Sequence, residues 1–510
     1  MVTTTSRAPA ACGALLLSLA QCARGAEWNV APTLRLRESY SDNIALEPPG
    51  HTHAGLLSEV APGLTLAAHG PRLNLRLAYS YVRLSGTRLA DSTSHQLGAD
   101  AHALLLEDWL YLDAGASIGE RNVSAFGPQL SDPSRRTANQ TSVANTSLSP
   151  YLRHRWIGIA GAELRYTHTR LDSDNDLLGA RAEQWRLDLN GERPADSWNW
   201  RAHYETRRAE DRPLAPLVSH QAALTLSRPL SASLGLFGTV GHEAQGYQDD
   251  RAGGAAPTSG RSWSLGAGWY PSARTSLVLS GGKRFFGNTH SADATYRGRQ
   301  TNWTFGYHED ITSTAQELSR LSSGGTAALL DQLWRVSMPD PLLRQQRIAT
   351  FVAVARQLGP DAGAVNYFSH RYFLQKQWRL GMVGTGQKST FAFDLAATGR
   401  TAQTTSGIDS ALLPPLETAL EDRTRQTGAN AGWSWRASVR TSLNLNTAYA
   451  ANASLSTGRR ERNLAFSAGI SRALRPTVSA ALDLRRTRHA GNQGGGYREN
   501  GISATLVFHL

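Results

Sequence analysis

Gly501–Leu510, GISATLVFHL, alternates without a break: Ile502, Ala504, Leu506, Phe508 and Leu510 share one face of an extended chain, and Ser503, Thr505, Val507 and His509 the other. Successive strand side chains point to opposite faces, so a period of two predicts a strand with one apolar side. The pattern returns upstream. Trp28, Val30, Pro32, Leu34 and Leu36 alternate with Asn29, Ala31, Thr33, Arg35 and Arg37. It recurs as Leu73, Leu75, Leu77, Tyr79, Tyr81, then as Leu97, Ala99, Ala101, Ala103, Leu105, and as Leu110, Leu112, Ala114, Ala116, Ile118. Trp185, Leu187, Leu189, then Trp263, Leu265, Ala267, Trp269, then Trp303, Phe305, Tyr307, and Val478, Ala480, Leu482, Leu484 follow it too.

About twenty such segments, each roughly ten to twelve residues, have the length at which a tilted strand crosses a bilayer. The mean hydropathy of -0.36 does not argue against this. In a transmembrane barrel only every second residue meets lipid, so window averages cancel. The expected fold is all-β, a transmembrane antiparallel up-and-down β-barrel of about 18–22 strands, closed because an open edge in lipid leaves backbone groups unsatisfied. The last strand resembles the closing strand of bacterial outer-membrane barrels. That resemblance implies the barrel-assembly machinery as a partner, although Leu510 stands where Phe or Trp is usual and Phe508 lies behind it.

Near the N-terminus, Arg7 precedes the apolar run Gly13–Ala20, and small residues continue to Ala26. Residues 1–26 are therefore expected to be a secretory signal peptide, cleaved after Gly25 or Ala26, with 27–510 as the barrel. Leu19-Ala20-Gln21-Cys22 has the outline of a lipoprotein box, but Gln21 occupies a small-residue position. Both cysteines, Cys12 and Cys22, lie in this segment, so thiolate catalysis and cysteine metal sites are excluded from the remainder.

Short turns at 69–72, 107–108, 193–197, 271–275 and 474–477 interleave with long polar loops at 41–56, 120–140, 244–258, 404–424 and 488–498. Short inside and long outside is the habit of outer-membrane barrels. The resulting period of about 40 residues also matches a propeller blade, but a blade needs four strands where these units hold two. Trp28, Trp109, Trp156, Trp198, Trp200, Trp269, Trp433 and Trp435 sit beside the N-terminus or a short turn, and Trp185, Trp263 and Trp303 are read toward the long loops. Two belts are the expected girdles, whereas core tryptophans of a soluble sandwich would scatter along strands.

From residue 313 to 363 the alternation fails. Asp340 and Pro341 read as the cap and first position of a helix over Leu342–Leu358, with a second short helix over Ala327–Trp334. This partly helical insertion is expected to plug the lumen, cap it or dock a partner, against the plainer alternative of an ordinary long loop. Counting strands from the N-terminus puts it on the side of the termini, and counting back from the C-terminus puts it on the opposite side. One strand is miscounted, or the insertion supplies a crossing.

Glu38-Ser39-Tyr40-Ser41-Asp42-Asn43-Ile44-Ala45-Leu46, Val60-Ala61-Pro62-Gly63-Leu64, Tyr307-His308-Glu309-Asp310, Asp340-Pro341 and the run Asn366–Trp378 resemble the outer-membrane family associated with PEP-CTERM/exosortase systems and exopolysaccharide gene clusters. The likeness spans most of the chain. It implies a Gram-negative outer-membrane barrel tied to exopolysaccharide production or export, with no defined biochemical activity.

Fifty-three basic residues against 41 acidic ones give a net charge of +12, and only Lys283, Lys376 and Lys388 are lysines. Nucleic acid is not expected as a partner, since the arginines are spread over the chain and a secreted protein meets no genome. If the apolar face meets lipid, Arg35, Arg37, Arg76, Arg165, Arg186, Arg201 and Arg485 point into the lumen. There, guanidinium forks could bind the carboxylates of an acidic exopolysaccharide. Glu163, Asp188, Glu205 and Asp483 face the same way and could simply pair with them. Loop arginines are available to lipopolysaccharide phosphates, so outer-membrane lipid is the other expected partner.

Asp172-Ser173-Asp174-Asn175-Asp176 with Glu183 has the outline of a calcium loop but carries Leu177 where glycine is required, so a solvated acidic loop is expected. No catalytic motif, metal site or cofactor is expected, and the chain is not expected to be an enzyme. The first functional expectation is a conduit or assembly partner for an extracellular polysaccharide. The second is a surface scaffold or adhesion barrel whose loops bind a partner, and the third an outer-membrane barrel hydrolase.

Overall fold

Alternating apolar and polar residues can satisfy their backbones in lipid only by pairing until no edge is left. The computed structural model does this. It describes residues 25–87, 89–124, 126–127, 137, 139–174, 179–192, 197–212, 216–246, 258–320, 369–404, 422–493 and 495–510. Its strands are β1 (Glu27–Ser41), β2 (Gly55–His69), β3 (Leu73–Gly86), β4 (Leu89–Leu106), β5 (Leu110–Asn122), β6 (Gln140–Trp156), β7 (Ala160–Ser173), β8 (Gly179–Gly191), β9 (Asn199–Arg212), β10 (Leu217–Pro229) and β11 (Leu234–Ala244). They continue with β12 (Ser259–Ser272), β13 (Thr275–Arg284), β14 (Gly287–Arg297), β15 (Thr301–Ser313), β16 (Tyr372–Thr385), β17 (Ser389–Ala402), β18 (Arg423–Arg436), β19 (Thr441–Ser454), β20 (Arg460–Arg475), β21 (Val478–Gly491) and β22 (Tyr497–His509). One short helix, α1 (Thr314–Arg320), follows β15.

Each strand pairs antiparallel with the next, and β22 closes on β1 from Thr33 opposite His509 to Ser41 opposite Gly501. The fold is thus an all-β closed barrel of 22 strands, at the upper end of the sequence expectation. Registers carry the faces around the ring: Leu36 opposes Val60 and Leu506, while Arg35 opposes Ala61 and Val507. Outward positions such as Leu36, Val60, Leu224, Leu265, Leu484 and Leu506 expose their apolar side chains. Among the described residues there is accordingly no central apolar core.

The even-to-odd connections at 70–72, 107–109, 157–159, 273–274 and 476–477 are tight, and the long connections lie at the other end. Asp108, at φ 59°, takes the left-handed position in the second of these turns. By the same length rule the termini end is periplasmic and the long-loop end is outer. Since β15 is odd-numbered, the segment following it leaves from the outer end. The count from the N-terminus is corrected, and the count from the C-terminus stands. β14 shows how a strand escapes notice, because its outward face is only Asn288, His290, Ala292, Ala294 and Tyr296.

Trp28, Trp109, Trp156, Trp198 and Trp269 are exposed at the periplasmic end, as expected. Trp303 joins them, being the third residue of β15, which corrects its assignment to the outer belt. Trp263 does lie near the outer end of β12, and Trp185 sits mid-strand in β8. Asp340, Pro341, both helices expected in the insertion and residues 1–24 lie outside the described residues.

Candidate functional site: the lumen and its outer mouth

The alternation that sends leucines outward sends charges and small polar groups inward. Arg35 Nε donates to Glu59 Oε1 at 2.7 Å, and Arg37 Nη1 lies 3.6 Å from Glu59 Oε2. Arg485 Nη2 donates to Glu499 Oε1 at 3.1 Å, and the same oxygen accepts from Ser41 at 2.7 Å. Both acids are buried, and these pairs stitch the seam where β21 and β22 meet β1 and β2.

Further round the wall, Arg165 Nη1 donates to Asp113 Oδ2 at 2.7 Å and its Nε to Glu163 Oε1 at 3.0 Å, with its guanidinium 3.7 Å over the Tyr151 ring. Arg186 stands directly opposite Arg165, with Asp188 at 2.7 Å and Glu163 at 3.7 Å. Such a like-charge pair would be destabilising by itself, and the three acids around it offset the repulsion. Arg201 Nε donates to Asn190 at 2.9 Å. Arg76 opposes Asp100 on the inward face.

All seven arginines singled out from the sequence therefore lie on the lumenal face. They form no single ring: they occur in separate groups, five of them ion-paired to acids on the same or a neighbouring strand. Glu163 and Asp188 take the pairing role expected of them, while Glu205 lies 3.9 Å from His203. Asp172 pairs with Arg170 at 2.6 Å, and no cluster of potential metal ligands occurs among the described residues.

Sequence reasoning missed three features. Arg379 Nε donates to Asp394 at 2.5 Å on β16 and β17, a pair that the same alternation, Trp378 and Leu380 outward, would have found. The second is the mouth. α1 contacts β15, which carries it, and also β6 and β7, about a third of the ring away, so this end of the insertion crosses the lumen. His370 Nδ1 lies 2.9 Å from Asp211 on β9, and Phe126, Phe373 and Ala402 form a buried cluster beneath Arg459, whose Nη2 donates to the Phe126 carbonyl at 2.7 Å. Beside α1, a cavity is lined by Thr169, Leu171, Arg207, Asp211, Gln316 and Tyr372.

The third feature is a strip of amides and hydroxyls. Thr424, Gln426, Asn430 and Ser434 face inward along β18, flanked by Thr398 on β17 and Asn444 on β19. All six are buried, and each keeps at least one side-chain nitrogen or oxygen with no hydrogen-bond partner among the described residues. Native structures rarely leave such groups unsatisfied without a reason. From Thr424 to Ser434 the strip follows about 33 Å of strand at roughly 3.3 Å per residue.

No family model matches the sequence, and no curated protein matches it. Among solved structures, the chain is similar to the FrpB iron transporter from Neisseria meningitidis (F5-1 variant, apoprotein form) at 8% identity and a TM-score of 0.50, covering 96% of this chain and 82% of that one. It also matches the siderophore receptor PirA from Pseudomonas aeruginosa at 9% identity and a TM-score of 0.43, covering 94% of this chain and 80% of that one. At these identities the likeness is one of architecture: the chain is a large β-barrel of the outer-membrane kind.

Proposed function

We propose that the barrel is a conduit or assembly partner for an extracellular polysaccharide in a PEP-CTERM/exosortase-type system. The observation that carries this reading is the inward strip Thr398, Thr424, Gln426, Asn430, Ser434 and Asn444. A buried amide or hydroxyl without a partner costs about 1–3 kcal/mol, so a wall that keeps several of them suits a hydroxyl-rich polymer able to satisfy them serially. The pairing of Arg35, Arg37, Arg165, Arg186 and Arg485 with acids fits recognition by hydrogen bonding better than simple attraction of an anionic chain. A 22-stranded barrel also exceeds what wall side chains can fill.

Purified barrel in planar bilayers should give discrete conductance steps that are blocked by oligosaccharides of the host's own polymer. Gln426→Leu with Asn430→Leu should weaken that block several-fold while leaving the unblocked conductance in place. Unchanged polymer output on deletion of the gene would overturn the reading. A second reading, a surface scaffold working through its outer loops, draws on the crossing of the mouth by α1. A silent barrel whose loss leaves export intact would favour it.

A further inference from the structure

Every acid of β18–β22 faces inward. Glu461, Asp483 and Glu499 share the lumenal parity, whereas Arg423, Arg425, Arg460, Arg462, Arg486, Arg488 and Arg498 take the outward parity at the outer ends of these strands. All seven arginines are exposed. Registers make them neighbours: Ala453 on β19 lies between Arg425 and Arg460, Leu464 opposes Arg488, and Arg488 directly opposes Arg498. No ion pair to any of the seven occurs among the described residues. Asp42, just past the end of β1 on β22's other side, commits both oxygens to Asn500 at 2.7 and 2.6 Å.

Over β3–β4 and β7–β9 the same level of the barrel is neutralised. Outward Arg83 lies 3.7 Å from Asp91, Arg170 lies 2.6 Å from Asp172, and Arg208 lies 3.2 Å from Glu210. At this level β12 and β13 carry only Arg261 and Lys283 as outward cations, so the excess charge is densest in the β18–β22 sector. Like charges directly opposite on neighbouring strands destabilise a sheet. The Arg488–Arg498 pair, flanked by Arg462 and Arg486, thus calls for an external anion.

The position of the patch says which anion. Immediately toward the membrane on the same outward faces stand Leu464, Phe466, Leu484, Leu482 and Ile502, all exposed, with Tyr449 beside Leu464 at the boundary. A ligand meeting both surfaces has acyl chains that lie on this apolar band and a phosphorylated head at the guanidinium level. We infer that the β18–β22 sector is a binding site for a phosphorylated lipid of the outer leaflet, with Arg462, Arg486, Arg488 and Arg498 as its phosphate contacts. Guanidinium forks bind phosphate oxygens bidentately and are weakly hydrated, which suits this half-wet position.

The test uses the full chain in detergent micelles, with bound lipid read by native mass spectrometry. Diphosphoryl lipid A should be retained, and its dephosphorylated counterpart should bind at least tenfold more weakly. The variant Arg462→Gln/Arg486→Gln/Arg488→Gln/Arg498→Gln should lose at least tenfold in affinity, while Arg170→Gln/Arg208→Gln on the neutralised side should bind as the parent does. Should the fourfold variant fail to assemble, Arg488→Gln/Arg498→Gln decides by the same measurement. Equal retention of the phosphorylated and dephosphorylated lipids, equal loss in the two variant sets, or displacement of the lipid by millimolar inorganic phosphate would each overturn the assignment, the last by making the patch a site for free anions.

Discussion

Arg284, at the tip of the β13–β14 hairpin, reaches Glu243 on β11 with a fork: its Nε lies 3.0 Å from each carboxylate oxygen and its Nη2 donates to Oε2 at 2.8 Å. Its Nη1 adds Asp310 on β15 at 3.1 Å. One guanidinium thus ties together strands four positions apart at the outer rim. The Glu243 side chain is only 4% exposed. Arg284→Met should therefore cost about 3–5 kcal/mol by stranding that carboxylate, and Arg284→Met with Glu243→Met should recover most of the loss. Denaturant unfolding in micelles measures both, and a single-variant cost below about 1 kcal/mol would show that the carboxylate is solvated rather than dependent on its partner.

Leu224 and Ala223 are consecutive residues near the middle of β10, and they face different solvents. Leu224 opposes Ala202 and Val240 on the outward face, while Ala223 opposes His203 and Gly241 on the lumenal face. Leu224→Arg should destabilise the barrel by about 2–4 kcal/mol, the cost of a cation at the bilayer midplane, and Ala223→Arg by much less. Thermal unfolding followed by loss of the slow-migrating folded band on gels reads the difference. Equal effects would mean that hydrocarbon does not cover the leucine face.

That contrast marks what the sequence makes legible. Which way Leu34, Arg35 or Arg485 points is a property of one strand, readable from period two alone, and the lumenal placement of all seven arginines followed from it. Which acid each arginine meets depends on register and on the relative heights of hairpins. Arg165 finds Asp113 two strands away, and Arg284 finds Glu243 because β13 and β14 stop short while β15 runs on. The parity error at the insertion has the same origin, since a polar strand such as Gly287–Arg297 buries nothing and so leaves little periodic trace. The strip through Gln426 and Asn430 was equally visible as alternation. Its lack of partners is a fact about neighbouring strands and could not be.

Glu192 lies in the periplasmic connection after β8, bonded to Arg155 and accepting from the Gly158 N–H at 2.8 Å. The Arg155 hydrogen bond, followed by that of Gly158, holds its carboxyl below the ordinary 4.5. Because the folded value lies below the unfolded one, the ionised group favours the folded turn above the unfolded value, and this contribution is lost as pH falls through the folded value. Glu192→Gln should therefore be less stable than the parent at pH 7, with the gap closing in acid. Unfolding midpoints at pH 7 and pH 3 check this, and a gap that stays constant would remove the carboxylate from the account.

Phe126 and Phe373 bring the loop after β5 against the base of β16 at the outer mouth, with Arg459 5.5 Å over the first ring and Arg371 5.8 Å over the second. These contacts join segments from opposite parts of the ring across the lumen, so the mouth is held by apolar burial supplemented by cation–π attraction. Truncating a buried phenylalanine to alanine costs about 3–5 kcal/mol of local packing. The strand ladders beneath do not depend on this cluster, so Phe126→Ala/Phe373→Ala should leave the barrel assembled and loosen its outer end. Cells carrying the variant should admit large hydrophilic antibiotics excluded by the parent, and single-channel recordings should show longer open times. If permeability and open time are unchanged while the folded barrel persists, the aromatic pair packs the rim without governing passage.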